Sequence, residues 1–144
     1  MLGKLKNIFK VKTKKQQSEE NLPKNIKDFI NNVNCDDNIK QRIIELIKSM
    51  DNTALKEFEY MIEHNIKEMK DVRRHFKKKI IPKVLLGEYN EDSMFYIYLV
   101  FKYIDKCDKV KENRVRNEYE GLVTKISPKS ASKILKKQGY NIRI

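Results

Sequence analysis

Lys125, Lys129, Lys133, Lys136, Lys137 and Arg143 all fall within the last twenty residues, KISPKSASKILKKQGYNIRI, a stretch that holds no aspartate or glutamate. Cationic side chains gathered without counter-charges neutralise phosphates, and each phosphate they cover releases condensed counterions. Ser130 and Ser132 lie in the same stretch and carry hydroxyls able to bond phosphate oxygens or base edges.

A row of cations needs an element to hold it in line. Ser127 is placed to act as a helix N-cap, Pro128 sits at the first helical position where its missing donor costs nothing, and Gly139 supplies a left-handed stop. At about 100° per residue, Ala131, Ile134, Leu135 and the stem of Gln138 fall on one side of that helix. Lys129, Ser132, Lys133, Lys136 and Lys137 fall on the other. The helix is therefore expected to dock by a small apolar stripe and to present its lysines outward.

Two further helices are expected upstream. Val115, Tyr119, Leu122, Val123 and Ile126 recur at helical spacing through Arg114–Ile126, and a turn of about three residues separates them from Pro128. Met94–Ile104, MFYIYLVFKYI, is apolar on nearly every side and predicts a helix surrounded by others. Two helices joined by a short turn form a helix-turn-helix, whose second helix lies in the major groove of DNA.

The segment VKENRVRNEYEGLVTKISPKSASKILKKQGYNI resembles the C-terminal part of a winged helix-turn-helix domain, in the style of those ending archaeal replication initiators and phage or plasmid primases. The resemblance rests on Tyr119 in the middle helix, the Ser127–Pro128 start, Leu135 followed by Lys136 and Lys137, and the Gly139–Tyr140 exit. It implies double-stranded DNA as partner, with Lys129, Ser130, Ser132 and Lys133 near base edges and Lys125, Lys136, Lys137 and Arg143 on phosphates. Only Tyr140–Ile144 follow Gly139, enough for one strand, so the wing is expected to be reduced. A lysine-rich face implies affinity through phosphate neutralisation more than sharp sequence reading.

The charge is unevenly distributed. Of 32 basic residues, six lie in residues 1–15 and six in 125–144, both without acids, so the other 20 basic residues face all 20 acidic ones. The net charge of +12 thus sits at the two ends as local fields able to attract phosphates. Residues 1–15 set Leu2, Leu5, Ile8 and Phe9 along one side of a basic amphipathic helix; membrane contact, partner contact and a nucleic-acid-binding tail fit it equally. Residues 1–21 form a tail and linker on this reading.

A mainly α protein is expected, with 40% hydrophobic residues, four glycines, three prolines and no tryptophan. A helical region spans 22–81, and a winged-helix-like unit spans 92–144. Within the first, Leu22, Ile26, Phe29, Ile30 and Val33 predict one helix, and Ile39, Ile43, Ile44, Ile47 and Met50 predict another. A long helix is expected over 53–79 with Leu55, Ile62, Met69 and Phe76 seven apart, ended by Pro82. That repeat fits the side of a bundle or, as the alternative, a dimer seam. Its basic cluster Arg73–Lys79 is read as a helix end facing the negative pole of the dipole, and Asp92 or Ser93 is expected to cap the next helix.

The spacings of an enzyme are missing: no Gly-rich phosphate loop, zinc pattern or nucleophile elbow occurs. No cofactor or metal is therefore expected. His64 and His75, on one helix, would stand about 16 Å apart. Cys35 and Cys107 are expected as separate half-buried thiols in a reducing cytoplasm. No signal peptide or apolar run of membrane-spanning length is apparent, which leaves a soluble or peripheral protein. The function expected is a non-enzymatic DNA-binding protein in replication, plasmid or phage maintenance, or transcription control. The rival is an adaptor tethered by its N-terminal helix.

Overall fold

Four of the helix starts are fixed by side chains that accept a backbone N–H left without a partner in the first turn. Asp36 accepts from Ile39 at 3.0 Å, Asp51 from Ala54 at 2.8 Å, Asn90 from Ser93 at 2.9 Å and Ser127 from Ser130 at 3.1 Å. A computed structural model describes residues 22–140. In it the chain runs through α1 (Lys24–Asn31), α2 (Asp37–Ser49), α3 (Asn52–Glu63), α4 (Met69–His75), a π-helical stretch (Phe76–Ile80), α5 (Ile81–Leu85), α6 (Glu91–Lys106), a short 3-10 turn (Cys107–Lys109), α7 (Glu112–Thr124) and α8 (Pro128–Lys137). The protein is mainly α, with no strand among the described residues. Of the expected wing strand, 140–144, only Tyr140 is described and it lies in no strand, while the N-terminal contact residues Leu2, Leu5, Ile8 and Phe9 fall outside the described residues.

Asn90, rather than Asp92 or Ser93, caps α6. Ser93 is engaged elsewhere: its buried hydroxyl accepts the Asp51 backbone N–H at 3.3 Å, tying the start of α6 to the start of α3.

The single helix expected over 53–79 is broken. Asn65 adopts φ 56°, a left-handed conformation that asparagine tolerates better than most residues, and α3 stops at Glu63. α4 then places His75 against Glu57 and Tyr60, residues that an unbroken helix would have left several turns away. Of the seven-residue repeat, Met69 and Phe76 are buried in the core, and Leu55 and Ile62 pack half-buried against it. Nor does Pro82 end the helical run. The backbone widens into the π stretch and continues as α5 with Pro82 in its first turn. Lacking an N–H, Pro82 cannot bond the Lys78 carbonyl four residues back. Gln138 instead donates its side-chain amide to that carbonyl at 2.7 Å.

α6 forms the axis of the core, with Phe95, Ile97, Tyr98, Leu99, Val100, Phe101 and Tyr103 all buried. Phe101 packs on Phe58 at 5.5 Å and on Phe29 at 6.1 Å, while Tyr98 meets Phe76 at 5.1 Å and Tyr119 at 5.9 Å. Each such side chain removed from water contributes roughly 1.5–3 kcal/mol. One continuous hydrophobic cluster runs from Leu22 to Leu122, drawing residues from the expected region 22–81 and from α6 and α7 of the expected unit 92–144. α8 lies on α5 through Ala131 and Leu135.

Cys35 and Cys107 are joined by a disulfide, contrary to the separate thiols expected. Cys107 leaves α6 at φ 48°, and the turn it makes brings its Cα to 5.6 Å from that of Cys35, within bridging range. Among the described residues no helix is long and apolar enough to cross a membrane.

Candidate nucleic-acid interface

α8 has the boundaries its local signals predict. Ser127 caps it, Pro128 opens it, and Gly139 turns away at φ 92° after Lys137. Lys125, Lys129, Ser130, Lys133, Lys136 and Lys137 are exposed. Ser132, expected beside them, is buried at 1% exposure. The buried side of α8 is Ala131, Ser132 and Leu135 rather than Ala131, Ile134, Leu135 and Gln138, a rotation of roughly 60° at 100° per residue. Ser132 is turned into the protein, and Ile134 is left half-buried at the helix edge. Arg143 lies outside the described residues.

Elsewhere, several cations meet carboxylates. Lys102 meets Glu118 at 2.8 Å, Arg116 meets Asp92 at 3.1 Å and Glu120 at 3.0 Å, and Arg42 meets Glu112 at 2.8 Å. Tyr103 also donates to Glu112, and that carboxyl is held below its ordinary range chiefly by the Arg42 hydrogen bond. None of the exposed lysines of α8 or of the turn before it has a described carboxylate within 4.0 Å.

Two lysines that sequence reasoning set aside join this surface. Lys77 and Lys78, in the π stretch, line a cleft of about 590 Å³ together with Lys125 and Lys137, above Leu122, Ile126 and Ile134. Read as a helix end facing the dipole, they are instead mid-run, because the helical path continues to Leu85. A pointer to this was present in the sequence: Pro82 frees the carbonyl of Lys78, and a freed carbonyl needs a donor. Nothing local identified Gln138 as that donor.

A second cleft, of about 460 Å³, shares Lys78 and Gln138 with the first and is lined by Tyr60, His64, Arg74, His75 and Lys79. Both imidazoles stack on Tyr60, with ring centroids 3.9 and 5.8 Å away, and the Lys79 ammonium lies 4.6 Å from the same ring. His64 Nδ1 is 2.8 Å from the Tyr60 carbonyl, and His75 Nε2 is 2.5 Å from a Glu57 carboxylate oxygen. Both acceptors lack a proton, so these nitrogens carry the N–H. Glu57 also accepts from the Tyr89 hydroxyl at 3.2 Å. Burial pushes the Glu57 carboxyl up, but the His75 hydrogen bond and charge, with Tyr89, outweigh it and hold the group below its ordinary range. These partners lock α3, α4 and the approach to α6 together. Among the described residues no three side chains form a cluster able to hold a metal ion.

No family model, curated protein or solved structure matches this chain.

Proposed function

We propose that the chain is a non-enzymatic protein that binds double-stranded DNA through α8, with α6, α7 and α8 acting as a winged-helix-like helix-turn-helix whose wing is reduced. The observation that supports this most is the set of exposed lysines on α8 and the turn before it, none facing a described carboxylate, on a ten-residue helix that carries no acid of its own. Lys129, Ser130 and Lys133, on the first half of α8, approach base edges. Lys125, Lys136 and Lys137 meet phosphates, and Lys77 and Lys78 extend the same field. A lysine ammonium is a point charge without the fixed fork of arginine, so binding is dominated by counterion release and tolerates many sequences.

Changing Lys133 and Lys136 together to glutamate removes two contacts and adds two repulsive charges. Duplex binding in a salt-titrated gel shift is expected to be lost at 150 mM salt, and at low salt the slope of log affinity against log salt is expected to flatten by about 2. Both side chains are exposed, so helical content should not change. Undiminished binding by the double variant would overturn the reading.

A further inference from the structure

The cleft above Leu122, Ile126 and Ile134 has a chemistry that DNA does not use. Its floor is aliphatic, with Ile126 and Ile134 half-buried, while its rim carries the ammonium groups of Lys77, Lys78, Lys125 and Lys137 from three separate segments. A phosphodiester satisfies the rim and leaves the floor wet. A plain apolar ligand does the reverse. The half-buried floor follows from the rotation of α8, which turned Ser132 inward and left Ile134 at the cleft.

We infer that this cleft docks an acidic amphipathic helix of another protein, whose aliphatic side chains enter between Leu122, Ile126 and Ile134 while its carboxylates meet the four lysines. Helix-in-groove recognition takes this form, with anchors spaced three and four residues apart along one face. Charge selects the occupant. The chain's own amphipathic segment, residues 1–15, brings six lysines and no acid and is repelled by this rim. A second copy of the chain brings a net charge of +12 toward the same rim and is disfavoured by repulsion. Lys129, Lys133 and Lys136 do not line the cleft, so the docking site and the proposed DNA contacts overlap only at Lys125, Lys137, Lys77 and Lys78.

The probe is a synthetic fluorescent helix of about five turns with leucines along one face and glutamates flanking them, titrated by anisotropy against the full chain. Its control is an isomer of identical composition in scrambled order. The ordered helix is expected to bind at least tenfold more tightly than the isomer. Ile134→Ser and, as a second variant at a different position, Ile126→Ser should each weaken it about tenfold, with thermal melts confirming the fold. Lys133→Gln should leave it unchanged. Equal binding of the scrambled isomer would reduce the effect to undirected charge attraction and overturn the inference, as would indifference to both isoleucine changes. A matching fall in duplex DNA affinity on Ile134→Ser would assign the cleft to nucleic acid instead. Loss of DNA binding by the Lys133/Lys136 variant tests the other surface, so the two readings fail separately.

Discussion

Along α6, apolar surface and mid-helix charge are both answered. Its aromatic and aliphatic side chains are enclosed by α2, α4 and α7, and its one mid-helix lysine, Lys102, meets Glu118 at 2.8 Å. Along α8 neither is. Ala131, Ser132 and Leu135 supply a narrow buried footing, Ile134 stays at the edge of an open cleft, and the lysines of its solvent face lack described carboxylate partners. On the proposed DNA-binding reading the two helices divide the protein's tasks, with stability concentrated around α6 and uncompensated surface around α8. Substitutions at the first should cost folding and at the second should cost binding.

Phe101→Ala is the strongest way to test that division. The ring is fully buried against Phe29 and Phe58, and its removal should cost about 3–5 kcal/mol in urea unfolding. The Lys133/Lys136 double variant should instead stay within about 0.5 kcal/mol of the parent. Comparable losses in both would erase the contrast.

His75→Ala comes next, because it leaves the buried Glu57 carboxylate with the Tyr89 hydroxyl as its one remaining donor among the described residues, at about 3 kcal/mol. The same pair sets a pH dependence. A carboxyl whose folded-state pKa is depressed contributes stability that is fully present above its unfolded pKa and disappears as pH falls through the folded value. Urea unfolding of the parent should therefore weaken below the ordinary carboxylate range, and Glu57→Gln should flatten that part of the profile. An unaltered acid limb in the glutamine variant would show that Glu57 is not held by its partners.

How much of this was readable beforehand depended on the range of the interactions. The limits of α8 follow from Ser127, Pro128 and Gly139, each acting within a few residues, and the central place of α6 follows from a run with no polar side. The α3–α4 break depends on one asparagine entering the left-handed region, with no glycine or proline to announce it. Burial of Ser132, the Cys35–Cys107 bond and the joining of Lys78 to Gln138 depend on contacts across 60 or more residues or on what lies opposite a helix. Periodicity gives the width of an apolar stripe. It does not say toward which neighbour the stripe will turn.

Ser127→Ala is the mildest change and the one that compares α6 and α8 most directly. Ser127 Oγ accepts the Ser130 N–H at 3.1 Å, a donor with no other partner in the first turn, and losing such a cap costs about 1 kcal/mol. If α8 opens on its narrow footing independently of the core, amide exchange at Ser130 and along α8 should quicken about fivefold, since 1 kcal/mol corresponds to that factor at room temperature. Amides of α6 should then exchange at the parent rate, because their opening requires the core around Phe101 and Tyr98 to separate. Equal acceleration in both helices would mean that α8 unfolds only together with α6, and the division between a stabilising core and a separately opening binding edge would have to be abandoned.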